Sequence, residues 1–467
     1  MKMWSGRFRQ TLDPAFERWQ RSFDFDRRLL CHELEASRAH AKALKEAKIL
    51  SANELISILE GLDRIEKQAA ESPLFLDDNE AEDVHHFVEK KLVSFIGDVG
   101  YKLHSGRSRN EQIATDLRLY VRACIEQLRN DLAEWSNIIV ERAEQAGDAA
   151  MPAYTHLQRA EPVLVAHWLL AYVEMFLRDA SRLEDCGKRL NYCPLGSGAV
   201  AGTTLPLNRQ NIATELGFDA PTANSIDATS DRDFVLEFAN TLSLLALHLS
   251  RWAEEMILFA SQEYEFIHLP EAYSTGSSAM PQKMNADLLE LVRGKTGRIL
   301  GDATALQVTM KGLPLAYNKD LQETQQSLFD AAETMLSLIP LASGWMKAVE
   351  FNYDRMQKTA QTGFMNAWAA ATYLVQRGVP FRLAHECVGK AVQLCLEKDC
   401  ELKDLSLDEL RQLNPAFDQG FYSALNLQSV LAIHDVPGGT APARVRQAIV
   451  EAKKKIEFLR EEIHAHA

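Results

Sequence analysis

Apolar residues recur every three or four positions along most of the chain, the spacing that places them on one face of an α-helix. The pattern predicts six helices, over residues 52–66, 113–143, 162–188, 231–261, 288–306 and 321–349. Pro152 and Pro162 are expected to begin helices, and Gly301 and Gly312 to end them. Runs that alternate between apolar and polar residues, as a half-buried strand would, are rare. The sequence therefore predicts a mostly α fold.

Changes in this pattern divide the chain into three predicted domains. Residues 1–105 combine short helices with polar loops, residues 106–351 hold the long helices, and residues 352–467 contain shorter helices broken by glycine and proline. Two long helices are apolar on more than one face but carry charges at intervals, which is more typical of a large bundle than of a membrane span. Such helices need more partners than one chain supplies, so we predict a bundle formed between subunits.

Length, charge and cysteine content narrow the class of protein. A chain of 467 residues exceeds one compact core, in agreement with several domains. The net charge of −14 argues against general affinity for nucleic acid or acidic membranes, so an anionic substrate must be bound by locally placed Arg and Lys. Seven scattered cysteines without a C-x-x-C pair, and a start without an apolar signal region, indicate reduced thiols and a cytoplasmic protein.

The most informative segment is residues 274–290, which read STGSSAMPQKMNADLLE. Ser277 follows a glycine, Lys283 places a cation six residues later, and Asn285 precedes a predicted helix with Glu290 in or near its first turn. A mobile hydroxyl, an ammonium group and a helix N-terminus together suit the handling of an anion. The alternative is an ordinary Ser/Gly surface loop, but the combination of all these residues favours a functional loop.

A second polar segment lies at the entry to a long predicted helix. Ser108, Arg109 and Asn110 follow a second arginine, Arg107. Guanidinium groups bind carboxylates through two parallel hydrogen bonds, which suits a dicarboxylate substrate. A solvated helix start explains this segment equally well when it is taken alone.

Two further segments border apolar helices. Thr155 and His156 precede the helix predicted at 162, and neighbouring polar groups could orient the imidazole ring, although a lone histidine is usually structural. Residues 312–322 supply Tyr317 and Gln322 between two helices, a composition suited to a polar ligand. A solvated connector is the alternative for the second segment.

Two other patterns resemble cofactor sites without matching them. The glycine-rich residues 196–202 have one spacing too long for a dinucleotide loop, lack a preceding strand and follow Pro194 closely. Glu82 with His85, and Glu265 with His268, form Glu-x-x-His pairs like those of di-iron bundles, but no further pair of inward glutamates is evident. We predict neither a nucleotide cofactor nor a metal.

These segments together resemble the argininosuccinate lyase and delta-crystallin group of the fumarase/aspartase superfamily. Residues 274–290 resemble the loop of the whole superfamily. The segments that resemble this group in particular are 106–110, 154–160, 194–199, 312–322 and 438–442, and residues 4–8 resemble its opening. The segments around Arg109 and His156 and the tail at Gly439 favour this group over fumarase, aspartase and adenylosuccinate lyase.

The resemblance implies a three-domain fumarase/aspartase-like fold and cofactor-free β-elimination of argininosuccinate to arginine and fumarate, as in arginine biosynthesis. It implies that Ser277 is the base, assisted by Lys283, and that His156, supported by Glu290, is the general acid. The substrate-binding residues that it implies are Ser22, Asp26, His85, Ser108, Arg109, Asn110, Thr155, Asn285, Tyr317 and Gln322. It also implies a homotetramer with active sites assembled from three subunits, and no nucleic-acid or membrane partner.

The chain departs from the family pattern at a few positions. Met284 stands where a second lysine is usual, Ala286 where proline is usual, and Glu111 where aspartate is usual. Thr324 and Gln325 replace an Asp-Lys pair whose lysine contacts substrate. The acid and base set is intact, so the departures bear on substrate affinity. Two alternatives stay open: a related lyase acting on another succinyl-amine substrate, and a catalytically weak structural protein of the delta-crystallin kind.

Overall fold

The computed structural model describes residues 10–466, without the side chains of 464–466, so the resemblance at residues 4–8 lies outside the described part. The α-helices are α1 (Pro14–Trp19), α2 (Phe23–Asp26), α3 (Leu30–Glu46), α4 (Ala52–Glu71), α5 (Val84–Ile96), α6 (Arg109–Ala146), α7 (Val165–Leu190), α8 (Arg209–Glu215), α9 (Ser225–Ser230), α10 (Asp233–Ala260), α11 (Asp287–Met310), α12 (Glu323–Ala348), α13 (Tyr353–Thr359), α14 (Ala367–Val375), α15 (Phe381–Lys398), α16 (Leu407–Leu413), α17 (Gly420–Ala424), α18 (Leu427–Ala432) and α19 (Pro442–His466). Short 3-10 helices cover Arg27–Leu29, Pro73–Leu76, Gly97–His104, Glu271–Tyr273, Lys319–Gln322 and Leu402–Asp404.

Strands are short in the described part of the chain and pair two by two. They are β1 (Ala150–Thr155), β2 (Gln158–Leu164), β3 (Tyr192–Cys193), β4 (Ala220–Pro221), β5 (Ile267–His268), β6 (Thr275–Gly276), β7 (Met284–Asn285) and β8 (Glu350–Phe351). The pairs β1–β2, β5–β8 and β6–β7 are antiparallel, and β3–β4 is parallel. Two of these pairs, β1–β2 and β6–β7, carry the segments that the sequence marks as chemically active.

The predicted helical fold is confirmed, and the differences from it are local. All six predicted helices are present, but the helix predicted from 162 begins only at Val165, because Pro152 and Pro162 lie opposite each other in the β1–β2 pair. Proline fixes a backbone angle that a strand also tolerates, which is why the helix-start interpretation was wrong. Gly301 lies within α11 and does not end it. None of the described helices is long and apolar enough to cross a membrane.

The chain forms two compact units. The first unit contains residues up to 127, 182–243 and 297–335, and the second contains 128–181, 244–296 and 336–467. In the second unit, the fully buried Trp252 ring lies between Trp135 and Trp345, with centroid distances of 4.9 and 5.3 Å and nearly perpendicular planes. Such edge-to-face packing fixes the helices that carry these rings. The three predicted domains stay a prediction.

Candidate active site

Ser277 opens a loop that the β6–β7 pair closes in the second unit. Thr275 pairs with Asn285 and Gly276 with Met284, so the intervening residues form a closed turn. The Ser277 Oγ atom accepts hydrogen bonds from the backbone N–H groups of Ala279, at 3.3 Å, and Met280, at 3.1 Å. Backbone donors directed at one oxygen stabilise negative charge on it. The loop therefore holds this hydroxyl oxygen in one orientation, with two backbone donors directed at it.

The base of this loop is tied to α11. Asp287, the first residue of α11, accepts hydrogen bonds from the Thr275 backbone N–H, at 3.0 Å, and from the Thr275 hydroxyl, at 2.7 Å. These bonds lower the pKa of Asp287, the hydroxyl bond being the largest cause. Lys283, within the loop, and Glu290, in the first turn of α11, are both exposed. Both predicted catalytic side chains are thus available to a ligand.

His156 lies at the tip of the β1–β2 hairpin, also in the second unit. Thr155 pairs with Gln158, which leaves His156 and Leu157 as a two-residue turn. Their φ angles are +56° and +57°, as in a type I′ turn, a conformation that favours Asn and Gly. Leu157 is 67% exposed, so no extensive packing offsets the strain. Backbone strain of this kind clusters at functional sites.

The catalytic candidates of the second unit lie in two different segments, the Ser277 loop with the start of α11 and the β1–β2 hairpin. Among the described residues, no hydrogen bond or ion pair joins Ser277, His156 and Glu290 to one another. Thr155 is exposed beside His156, and Asn285 lies at the base of the Ser277 loop. The structure therefore presents two separate candidate segments on this unit.

The predicted binding residues of the first unit converge on an acidic pair, Glu82 and Asp83. Arg109 lies 2.8 Å from the Asp83 carboxylate and 3.4 Å from that of Glu82. Lys319 lies 3.7 Å from Glu82. Gln322 donates its side-chain amide to the backbone carbonyl of Gln20, at 3.1 Å, and Gln20 reaches Glu82 at 3.5 Å. A cavity of about 650 Å³ opens beside Arg109 and Glu82.

The sequence did not predict that Glu82 and Asp83 form an acidic pair beside Arg109, and it suggested Glu82 only as a possible metal ligand. Asp83 also caps α5, because its carboxylate accepts the backbone N–H of His86 at 2.8 Å. An acidic residue just before a helical pattern is the signal that could have identified the cap. Its contact with Arg109 is not local in sequence, so periodicity alone could not reveal it.

Ser22 and Asp26 lie against the start of α5, the helix that contains His85. The Ser22 backbone N–H donates to the Glu82 carbonyl at 2.9 Å, and the Val84 N–H donates to the Asp26 carboxylate at 3.0 Å. Burial, reinforced by the negative charge of Asp83, raises the pKa of Asp26 to about 7. Asp26 can therefore exist in either protonation state near neutral pH.

The Glu-x-x-His pairs differ from the arrangement that a di-iron bundle requires. The imidazole of His85 contacts Glu33 and Asp116 instead of Glu82, and possible ligand atoms of these three residues lie within 4.8 Å of one another. Glu265 occupies a turn with φ of +54°, and His268 is exposed on β5. Neither pair lies on one helix, as the ligand pairs of a di-iron bundle do.

Ser108 and Asn110 organise the beginning of α6. The Ser108 N–H donates to the Glu111 carboxylate at 2.9 Å, and the Asn110 N–H donates to the Ser108 hydroxyl at 3.3 Å, a capping arrangement. The other Glu111 oxygen accepts the Gly198 N–H at 2.8 Å. Gly196 has a φ of +90°, and a Cβ there would lie 2.5 Å from Arg209. These glycines thus serve tight packing around Glu111 and Arg209.

Tyr317 is partly buried in the first unit, and burial raises the pKa of its phenol against the opposing charge of Arg232. Arg232 is fully buried on the N-terminal side of α10, with Nε and one terminal nitrogen lacking a hydrogen-bond partner among the described residues. Sequence reasoning missed this arginine, because an Asp-Arg-Asp run at a helix start resembles a solvated face. Its charge acts on Tyr317, one of the predicted binding residues.

Comparison with known proteins gives matches over the whole chain. Residues 6–301 match a family model described as Lyase, and residues 364–432 match one described as Argininosuccinate lyase C-terminal. The argininosuccinate lyase of Koribacter versatilis (strain Ellin345) is 60% identical over 467 residues, which cover 100% of both chains. That of Heliobacterium mobile is 48% identical over 455 residues, covering 97% of this chain and 99% of the relative.

Solved structures share the architecture at lower identity. EDDS lyase in complex with formate has a TM-score of 0.81 and 26% identity, covering 98% of this chain and 93% of that one. A class II fumarase from Schistosoma mansoni has a TM-score of 0.72 and 15% identity, covering 85% and 89% of the two chains. The second likeness concerns the fold alone.

Proposed function

The chain belongs to the argininosuccinate lyase family, and we propose that it cleaves argininosuccinate into arginine and fumarate with Ser277 as the base and His156 as the acid. The observation that carries the proposal is the end-to-end match, 60% identity over all 467 residues with a curated argininosuccinate lyase. The loop geometry around Ser277 and the strained turn at His156 support the assignment of roles.

Removal of the carbon-bound proton is the difficult step. A proton beside a carboxylate is weakly acidic, so its removal requires a base and groups that stabilise the dianionic aci-carboxylate. Ser277 takes this proton, and the N–H groups of Ala279 and Met280 favour its alkoxide. Lys283 and Asn285 bind the substrate carboxylate where the charge develops.

Cleavage of the carbon–nitrogen bond completes the elimination. The electron pair of the broken C–H bond forms the carbon–carbon double bond of fumarate, and the C–N pair leaves with the guanidino nitrogen of arginine. His156 protonates that nitrogen as the general acid, and Glu290 supports it in this role. The turn at 156–157 presents the ring at the hairpin tip, accessible to a substrate from solvent.

Most of the substrate contacts that we propose come from the first unit. Arg109, held by Asp83 at 2.8 Å, and the amide of Gln322 supply donors for the substrate carboxylates, together with Tyr317. Asp26, which can ionise near neutral pH because its pKa is about 7, binds the guanidino end. The remaining predicted contacts come from Ser22, His85, Ser108 and Asn110 in this unit and from Thr155 in the second unit.

A homotetramer with shared active sites explains why the catalytic segments of one chain stay apart. Gly294, Gly297 and Gly301 lie on one face of α11, and a Cβ added at each would meet no atom within 4 Å. Each glycine in a helix interior costs about 1 kcal/mol relative to alanine, without any compensating contact inside the chain. Exposed Leu291 and Val308 flank this glycine face. Close approach of a helix from another subunit accounts for both features.

The location we propose is the cytoplasm, where reduced thiols are stable. All seven cysteines are unpaired, which supports a reducing compartment. The partners of the protein are then small molecules and its own copies, and the products supply arginine biosynthesis.

A substrate panel tests the proposed function. Purified protein is incubated with argininosuccinate, adenylosuccinate, aspartate or EDDS, and fumarate release is followed by ultraviolet absorbance. We expect turnover of argininosuccinate at least a hundredfold above that of every other compound, since a site built for the guanidino group rejects analogues that leave its buried polar groups unpaired. Preference for another succinyl amine would assign the chain to a related lyase, and no turnover of any compound would support a structural protein.

A further inference from the structure

A buried ionic cluster lies behind His85 in the first unit. Glu33 of α3 is 1% exposed, Asp116 of α6 is 0% exposed, and His85 of α5 lies between them at 6%. We propose that Glu33 is a positioning residue, which fixes the ring of His85 through Nδ1 and so turns a charged Nε2–H toward the substrate. This inference rests on the proposed function, in which His85 contacts substrate.

Glu33 is held in one orientation by several donors. Its carboxylate accepts hydrogen bonds from the Ser37 hydroxyl at 2.7 Å, from His85 Nδ1 at 3.0 Å, and from the Gln112 amide at 3.1 and 3.2 Å. Arg107 adds an ion pair at 3.6 Å. A buried carboxylate with this many donors has little freedom to rotate, and it binds Nδ1 only as a proton donor.

The contact at Nδ1 determines which edge of the His85 ring a ligand can reach. Among the described residues, no group accepts a hydrogen bond from Nε2. His85 follows Val84, whose N–H is bound by Asp26, and Asp26 is a predicted substrate contact. A carboxylate behind one ring nitrogen, with the other nitrogen left open, is the arrangement by which proteins set the orientation and charge of a working histidine.

The charges around His85 favour its protonated form. Burial alone would lower the pKa of the ring, but the charge and hydrogen bond of Glu33 outweigh burial and raise that pKa to about 9. Conversely, burial and the charge of Glu33 raise the pKa of Asp116, and both of its oxygens lack a hydrogen-bond partner. The charged or titratable groups around the ring are Glu33, Asp116, Asp26, Asp83, Glu89, His104 and Arg107.

A divalent cation held by Glu33, His85 and Asp116 is the competing explanation of the cluster. Both Glu33 oxygens already accept hydrogen bonds, and the Arg107 guanidinium lies 3.6 Å from one of them. A cation would have to displace the Nδ1 proton and tolerate that positive neighbour. The geometry therefore favours a proton between His85 and Glu33.

The experiment combines the titration of the ring with substrate kinetics. The full-length protein is labelled with ¹³C in the histidine rings, His85→Asn assigns the resonance, and the pKa of His85 is measured in the wild type and in Glu33→Gln. Ser37→Ala is the matched control, because it removes one hydrogen bond from the same carboxylate without removing its charge. KM and kcat for argininosuccinate are measured from pH 6 to pH 9 in each variant.

We expect a His85 pKa above 8 in the wild type and in Ser37→Ala, and a value below 6.5 in Glu33→Gln. KM should rise about tenfold at pH 8 in Glu33→Gln, with kcat changed less than threefold, because one charge-assisted contact is lost. A ring pKa below 6.5 in the wild type overturns the inference even if Glu33→Gln fails to fold.

An unchanged His85 pKa in Glu33→Gln would likewise overturn it. If the purified wild type contains stoichiometric zinc or cobalt and Asp116→Asn does not, a metal ion rather than a proton lies between His85 and Glu33, and the inference is overturned. If the wild type does not cleave argininosuccinate, the proposed function fails, whereas the ring titration still decides whether Glu33 positions His85.

Discussion

The strained turn at the tip of the β1–β2 hairpin gives a sharp test of the role of His156. Leu157 has a φ of +57° and a side chain that is 67% exposed. Glycine adopts this conformation without steric cost, so Leu157→Gly relieves strain while keeping the adjacent His156 side chain, whose position now depends on a more flexible turn. The substitution thus separates the stability of the turn from the position of the catalytic ring.

The expected free energies follow from the geometry. A non-glycine residue in the left-handed region costs about 1–2 kcal/mol, which Leu157→Gly recovers. Greater freedom of the unfolded chain costs about 0.5–1 kcal/mol, and loss of the buried third of the leucine side chain costs about 0.5 kcal/mol. The net change is about zero. Gln158→Gly, one residue later in β2, has the same entropic cost without relief of strain, and should destabilise the hairpin by about 1 kcal/mol.

Hydrogen–deuterium exchange of the hairpin amides measures this difference. A local change of 1 kcal/mol corresponds to about fivefold in exchange rate, so Gln158→Gly should exchange about fivefold faster than Leu157→Gly. In Leu157→Gly, kcat should fall about tenfold with KM within twofold, because a freer turn misplaces the acid. Equal exchange in the two variants would refute the strain argument, and unchanged kcat in Leu157→Gly would show that the rigid turn does not serve catalysis.

Three further predictions concern charge and assembly. The folded protein holds a proton on Asp26 between about pH 4 and pH 7, so its stability should fall as pH rises through that range. Asp26→Asn should remove part of this loss of stability, and a steeper decrease of Tm with pH in the variant would contradict the prediction. Gln325 is 4% exposed, and its amide oxygen has no hydrogen-bond partner among the described residues. Gln325→Lys should lower KM about tenfold and lower the Tm of the free protein, since the buried ammonium has no partner until a substrate carboxylate binds. An unchanged or raised KM would mean that another cation binds this substrate carboxylate. Inactive Ser277→Ala and His156→Asn proteins should regain partial activity when they are dissociated and reassembled together. The absence of activity in oligomers shown to contain both variants would place each active site within one chain.

Periodicity predicted the long helices because their buried faces repeat every three or four residues over many turns. It could not predict the β1–β2 hairpin, in which two prolines face each other and the turn contains no glycine. Both prolines were assigned to helix starts, since the fixed φ of proline is compatible with a first turn and with a strand. The helix begins at Val165 because the residues before it pair with β1, and this pairing leaves no periodic pattern in the sequence.

The candidate catalytic residues could be predicted from local composition, but their surroundings could not. Arg109 was singled out from its own segment, whereas its partners Glu82 and Asp83 lie more than twenty residues earlier. Glu33 and Asp116 join His85 from two other helices, and a single sequence contains no signal for such contacts. Buried charge networks are fixed by tertiary packing, and this is the part that sequence reasoning misses.

The most direct test of the central claim compares two adjacent serines. Ser277 accepts two backbone hydrogen bonds within its loop, whereas Ser278 is its exposed neighbour. Single-turnover cleavage of argininosuccinate, followed by fumarate absorbance, is measured in Ser277→Ala and Ser278→Ala after equal oligomeric state is established. We expect loss of at least a thousandfold in Ser277→Ala and less than tenfold in Ser278→Ala, since only one hydroxyl accepts the substrate proton. Near-normal turnover in Ser277→Ala would contradict the assignment of this serine as the base.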